Sequence, residues 1–173
     1  MISTALTAAA AGIARRAHEG QLDKAGEPYI NHPLHVAEAM DTEEETCVAL
    51  LHDVLEDSGF TAEDLRAAGM PESVIAAVEL LTHDERVDYL DYVRGVRKNP
   101  VAVKVKRADL EHNLDPKRLK RRLTAVDMKR RARYLEALAI LDGKGEAAAP
   151  TAPAAPAAPT ALAAPAAPKP PTR

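Results

Sequence analysis

Leu50-Leu51-His52-Asp53-Val54-Leu55-Glu56-Asp57 is the stretch on which the reading of this chain turns. Its apolar residues keep helical spacing. At about 100° per residue, Val48, Leu51 and Leu55 fall on one narrow stripe that must face a core. His52, Asp53, Glu56 and Asp57 occupy the adjacent half, and the pairs 52/56 and 53/57 are i,i+4 neighbours converging on one patch. An imidazole and three carboxylates beside a buried stripe are costly unless something pairs with them. A divalent cation is the obvious partner, because imidazole nitrogen and carboxylate oxygen are both ligands of first-row metals. A lone His-Asp pair is common by chance, and a solvated acidic helix end accounts for it equally well. The decision therefore rests on what else the chain supplies.

Working outward, Thr42 caps the helix that carries this stretch, with Glu45 three residues on completing a capping box. The spacing predicts that the helix runs to about Asp57. Upstream, His32 opens a short helix (to Met40) after an irregular stretch, Glu19 to Asn31, that contains Gly20, Gly26 and Pro28; Pro33 suits the first helical turn. His35 is a second ligand candidate by spacing, ranked below His32 and better read as a core or surface residue. Downstream, Asp109 lies in Lys106-Arg107-Ala108-Asp109-Leu110-Glu111-His112-Asn113, with Asn113 i+4 from it. In isolation Asp109 reads as a surface carboxylate. Taken with His32, His52 and Asp53 it completes two imidazoles and two carboxylates. Four such ligands leave two positions of an octahedron open for water and a substrate oxygen, a set that suits Mn²⁺, with Fe²⁺, Co²⁺ or Zn²⁺ also compatible.

The rest of the chain is helical in flavour. It has 173 residues, no Trp, one Phe and four Tyr, and few segments alternate apolar with polar residues as a half-buried strand does. A helix is predicted from Thr4 to His18, another from Thr61 with Asp64 in the box position, and another near Pro71 ending at about Leu81. Asn99-Pro100 and Asp115-Pro116 repeat the cap-then-proline start signal. The expected architecture is all-α, with about seven or eight helices and no internal repeat. Composition changes near Gly143. From Ala147 onward the chain is Ala and Pro with a few Thr, and Pro recurs every third residue from Pro150 to Pro159, so a disordered, polyproline-leaning tail is expected. The division is residues 1–145, a folded domain, and 146–173, the tail.

Several function classes recede. The N-terminus lacks the order of a signal peptide, and no apolar run approaches the ~20 residues that span a bilayer. The single cysteine, Cys47, forbids an intrachain disulfide and fits a reducing cytosol; its place on an apolar helix side makes it a buried hydrophobe. A cytoplasmic protein without a membrane partner is expected. Lys98, Lys104, Lys106 and Arg107 are placed to attract an anionic substrate. The basic run from Lys117 to Arg133 reads as a solvated helix face, with Arg121, Arg122, Arg130 and Arg131 covering apolar surface with their stems. That run lacks interleaved aromatics, Tyr134 standing alone near its end, which argues against nucleic-acid binding. Tyr89 and Tyr92 follow Thr82, and at least one of them should pack in the core.

Three segments together carry a family resemblance. Residues 17 to 33, Ala-His-Glu-Gly-Gln-Leu-Asp-Lys-Ala-Gly-Glu-Pro-Tyr-Ile-Asn-His-Pro, then LLHDVLED (50–57), then KRADLEHN (106–113), resemble in order and spacing the hydrolase domain of RelA/SpoT-type enzymes and the stand-alone small alarmone hydrolases. These belong to the HD superfamily of metal-dependent phosphohydrolases. The resemblance covers roughly residues 5 to 120. It implies an HD-domain helical bundle and hydrolysis of the 3′-pyrophosphate of ppGpp or pppGpp to GDP or GTP plus pyrophosphate, usually with Mn²⁺. It implies His32, His52, Asp53 and Asp109 as metal ligands, and Glu56 and Asp57 as the pair that positions or activates water. Substrate contacts are implied for Lys24, Tyr29, Lys106, Asn113 and Tyr89. The chain departs from the pattern at Asp23, where an Arg that packs on the base is common, and at Leu110, where an Arg often follows the metal Asp. Both departures leave base preference open, so an adenosine alarmone or another nucleotide is an alternative. Two others are an HD-family nucleotidase or phosphodiesterase, and a non-catalytic nucleotide-binding regulator; an intact Glu56-Asp57 pair argues against the last. No synthetase domain is expected after Leu141. Oligomeric state is not legible.

Overall fold

The computed structural model describes residues 1–118 and 122–144. The expected tail, residues 146–173, and Arg121 lie outside the described residues. Within them the chain is all-α: α1 (Ala5–Ala17), α2 (Asn31–Glu38), α3 (Glu43–Leu51), α4 (Val54–Asp57), α5 (Ala62–Ala67), α6 (Glu72–Leu81), α7 (Tyr89–Val96), α8 (Pro100–Leu114), a 3₁₀ turn (Pro116–Arg118) and α9 (Ala125–Leu141). The one departure from helix and loop among the described residues is an isolated antiparallel bridge, Leu22 to Pro28.

Local chemistry explains the boundaries. Thr42, Thr61 and Thr124 each accept a hydrogen bond from the N3 backbone N–H while the N3 side chain, Glu45, Asp64 or Asp127, answers the cap N–H. Asn99 Oδ1 accepts from Val101 and Ala102 N–H, and Pro100 fills the first helical position, where no N–H is needed. Pro71 is itself the cap of α6, one residue before its first turn. Asp115-Pro116 starts only the 3₁₀ turn. Asp115 Oδ1 accepts from Lys117 N at 2.9 Å, and the cap of the last helix falls instead to Thr124.

α3 is the centre of the bundle, packed against α1, α2, α6 and α8. The expected stripe was too narrow. Cys47, Val48, Ala49, Leu50 and Leu51 are all wholly buried, because a helix surrounded on every side is apolar all round. Leu55 only lies against this core. The expected single helix to Asp57 is also broken, since α3 ends at Leu51 and α4 begins at Val54. At the break, His52 Nδ1 meets the Ala49 carbonyl at 2.7 Å. A carbonyl only accepts, so the ring donates to a carbonyl of the last turn of α3. Asp53 stays in the right-handed region but off regular α-helical values, at φ −102°, ψ −3°. The interruption thus coincides with the His-Asp pair.

The irregular stretch after α1 is a tight loop organised by Asp23. Its Oδ1 accepts from Ala25 N at 2.8 Å and Glu27 N at 3.0 Å, and Gly26 supplies the left-handed turn at φ 81°.

Candidate active site

Three helices bring the predicted ligands to one point. His32 comes from the first turn of α2, His52 and Asp53 from the α3–α4 break, and Asp109 from the middle of α8. One ligand atom from each of His32, His52 and Asp109 lies within 4.8 Å of the others. His32 Nε2 is 3.1 Å from Asp109 Oδ1 and 3.7 Å from Asp53 Oδ2; His52 Nε2 is 3.1 Å from Asp53 Oδ2 and 3.9 Å from Asp109 Oδ1. His32, His52 and Asp109 are buried, and Asp53 is nearly so.

The donor set fits a cation. His52 spends its Nδ1 proton on the Ala49 carbonyl, so Nε2 presents a lone pair toward carboxylate oxygens and is buried with no hydrogen-bond partner. Acceptors facing acceptors away from water are stable only with a positive charge between them. A proton competes with a cation for that Nε2 lone pair, because the same carboxylates attract either. Burial disfavours a His52 cation, yet Asp53 first and Asp109 next outweigh it and push the imidazole up to about 9. Burial likewise opposes charge on Asp53 and Asp109. His52 holds Asp53, and Lys106 with His32 holds Asp109, well below the usual carboxylate range.

Each ligand is held from behind. Tyr29 Oη donates to Asp53 Oδ2 at 2.6 Å, Asn113 Nδ2 donates to Asp109 Oδ1 at 2.6 Å, and Lys106 Nζ lies 2.9 Å from Asp109 Oδ2. Burial works against the Lys106 charge, and Asp109 overrides it. His32 Nδ1 meets His112 Nδ1 at 2.7 Å, the two rings stacked at 5.0 Å. Desolvation, Arg118 and His32 push His112 down to about 3, so it stands neutral, with a ring nitrogen able to accept a hydrogen bond from His32.

Asp53 and Asp109 of the cluster line a cavity of about 340 Å³, together with Glu56 and Asp57. The latter two carboxyls keep solvent access but stand above their usual range, through desolvation first. On Glu56 this prevails over a hydrogen bond from His83 N at 2.8 Å; the Asp53 charge adds to it on both. All four tyrosines of the chain, Tyr29, Tyr89, Tyr92 and Tyr134, line the same cavity. Tyr92 is the core-packed one, its hydroxyl donating to the Leu81 carbonyl at 2.5 Å. The Tyr89 hydroxyl is buried with no hydrogen-bond partner.

All five expected substrate contacts, Lys24, Tyr29, Lys106, Asn113 and Tyr89, line this cavity. His35, read as a core or surface residue, is more than half exposed and stacks on His112 outside the ligand cluster. Other expectations come apart. Lys104 is held by Asp41 and Glu45 at 2.8 and 2.6 Å, and Arg107 by Asp142, and neither lines the cavity; Lys98 is exposed. Of those four cations only Lys106 reaches the site. The basic run after Lys117 is not simply a solvated face. Arg118 donates to Asn113 Oδ1 at 2.9 Å and pairs with Asp23 Oδ2 at 3.1 Å, Arg131 donates to the Leu114 carbonyl, and Arg130 lines the cavity. Leu110 is core.

Sequence reasoning passed over His112, Arg118, Arg130 and Tyr134 as site residues. His112 was visible at i+3 from Asp109, and Arg130 and Tyr134 at i,i+4 on one helix face. It also passed over His18, whose Nδ1 meets Gln21 Oε1 at 2.8 Å while Gln21 Nε2 donates to the Asp57 carbonyl at 2.9 Å, tying the loop to α4.

The chain is similar to proteins already known. Residues 10–131 match the model of the HD domain. A guanosine-3′,5′-bis(diphosphate) 3′-pyrophosphohydrolase of Haemophilus influenzae is 36% identical over 120 residues, 59% of this chain and 17% of that protein. A probable GTP pyrophosphokinase of Mycobacterium leprae is 35% identical over 143 residues, 75% of this chain and 18% of that protein. The chain thus spans about a sixth of the length of these curated relatives. A solved structure, described as a metazoan ortholog of SpoT that hydrolyzes ppGpp and plays a role in starvation responses, shares the fold. Its TM-score is 0.68 at 22% identity, over 84% of this chain and 90% of that one.

Proposed function

We propose that this chain, which belongs to the HD domain family, is a metal-dependent hydrolase that removes the 3′-pyrophosphate of guanosine alarmones. It would convert ppGpp or pppGpp to GDP or GTP and pyrophosphate. The observation that carries this reading is the buried ring of His32, His52, Asp53 and Asp109 opening on a tyrosine-lined cavity beside Glu56 and Asp57. A pyrophosphohydrolase and a probable pyrophosphokinase stand among the similar proteins, and the former matches this site's chemistry. We assign residues 1–145 to the working domain and take Mn²⁺ as the metal, on the mixed nitrogen and oxygen donors.

When bound, such a cation withdraws electron density from a phosphoryl oxygen and makes water easier to deprotonate. The chain's own residues do the rest. Lys106, kept charged by Asp109, offers a fixed cation to a phosphate in a site otherwise rich in carboxylates. Glu56 and Asp57 hold or accept a proton at a carboxylate oxygen. Their raised affinity makes each a stronger base than an open carboxylate. Asn113 fixes Asp109, and Tyr29 fixes Asp53. No helix among the described residues is long and apolar enough to cross a membrane. A cytoplasmic location goes with the buried, unpaired Cys47.

Asp23 favours a second reading, another nucleotide such as an adenosine alarmone, because the expected base-packing Arg is absent and a carboxylate stands there. Product formation from ppGpp by the purified protein, with Mn²⁺ and with EDTA, tests the first reading against an Asp53→Ala control. Metal-dependent release of GDP and pyrophosphate that vanishes in the control is expected. No turnover with metal bound would overturn it, and adenosine alarmones would be assayed next.

A further inference from the structure

α9 is apolar on two opposite sides. Its buried residues, Asp127, Ala137, Ile140 and Leu141, share the side that packs against α7 and α8. At about 100° per residue, Met128, Ala132, Leu135 and Ala139 fall on the opposite side, within an arc of about 60°. Met128 and Leu135 are each 56% exposed, Ala132 is exposed and Ala139 is half-buried. A helix side that faces water is ordinarily polar. Steps of four, three and four residues are instead the seam of a coiled coil. Arg130 and Tyr134 line the cavity from the inner side of α9, so the outer stripe takes no part in the site.

The borders of the stripe say what fits it. Lys129 and Glu136 flank it on one side; both are exposed, and neither forms an ion pair among the described residues. A two-fold axis perpendicular to two antiparallel helices sets each flank beside the same flank of the other copy. Centred at the level of Arg133, that pairing brings Lys129 of each copy to Glu136 of the other. It also stacks Leu135 on Ala132 and Met128 on Ala139, a large side chain against a small one in every layer. On the other flank Arg131 faces Leu138 and donates to the Leu114 carbonyl of its own chain, so no like charges meet there. A parallel pairing would stack Ala on Ala and Leu on Leu, and would part Lys129 from Glu136.

We propose that two copies of this chain associate through the outer face of α9, antiparallel and about a two-fold axis, with both cavities turned away from the seam. The seam takes in about 18 Å of one helix from each copy. That is short of a permanent interface, so the dimer is weak and forms with rising concentration.

The test is sedimentation equilibrium of the full chain. From about 10 µM to about 1 mM, the range in which so small a contact dissociates, the average mass should rise from that of one chain toward twice it. Lys129→Glu and Glu136→Lys each set like charges against one another at both ends of the seam. Each variant alone should need at least about tenfold more protein to associate. An equimolar mixture of the two should associate at least as well as wild type, because every facing pair then joins opposite charges. Leu135→Asp should abolish association. A wild type that stays a single chain at the top of the range overturns the proposal and leaves the face to another segment of the chain or another partner. Association that neither charge reversal weakens, or that survives Leu135→Asp, overturns it too. So do charge-reversed variants that separate alone and fail to recover when mixed. Both reversals are at exposed positions, and recovery on mixing is a readout that a misfolded chain does not give.

Discussion

The two ends of one cavity are built by different rules. At the end proposed for the metal, the candidate ligands sit on α2, α8 and the α3–α4 break, largely out of water, and each is fixed from behind by a named atom: Ala49 O, His112 Nδ1, Tyr29 Oη, Asn113 Nδ2. At the other end Lys24, Arg118 and Arg130 come from a loop, a 3₁₀ turn and the last described helix, and their anchors, Asp23 and Asp127, are themselves parts of turns and caps. Buried charge needs a full set of partners and tolerates no slack, so the first end is rigid. The arginines of the second end stay 21% and 34% exposed, so that end keeps more contact with solvent.

That contrast predicts a steep ranking of mutational effects. Removing a ligand should be worst. Asp53→Ala or His52→Ala should lower turnover by at least about a thousandfold through loss of metal, read by activity and by metal content of the purified protein. Full activity with full metal in the Asp53 variant would refute the ligand assignment. Glu56→Gln keeps the metal set and removes a proton acceptor, so kcat should fall about a hundredfold at unchanged metal content. A drop in metal content instead would move Glu56 from the chemistry to the metal. His112→Ala removes the group behind His32 without touching a ligand, and metal affinity should weaken about tenfold or more. Wild-type affinity would mean that the 2.7 Å contact between the rings orients nothing.

The same contrast explains what was legible in the sequence. Caps are local, so Thr42 with Glu45 and Thr61 with Asp64 announced their helices. His32, His52, Asp53 and Asp109 were readable because each sits in a short motif whose chemistry needs it. The break at His52–Asp53 was not, since helical periodicity continues through it and only the ring-to-carbonyl bond to Ala49 marks the interruption. Nor was the far end. Arg118 and Asp23 lie 95 residues apart, and nothing local distinguishes an arginine that turns inward from one on a solvated face. Asp23 looked like the loss of a cation, yet the fold returns one from elsewhere in the chain.

The smallest expected effect belongs to Asp23 and probes the far end without an assay of turnover. Desolvation opposes its charge, but N–H groups of Glu27 and Ala25, and then Arg118, hold its carboxyl below the usual value of 3.8. A carboxyl lowered in the folded state adds stability above its unfolded pKa and loses it as pH falls through the folded one. In Asp23→Asn the amide oxygen can still accept from the loop N–H groups, but the charge facing Arg118 is gone. Urea unfolding should therefore show a deficit of at most about 1 kcal/mol at pH 7. The deficit should narrow at pH 3, where the wild-type carboxylate begins to take up its proton. A deficit equal at both pH values would assign the loss to packing, and Asp23 would then shape the loop without steering the arginine.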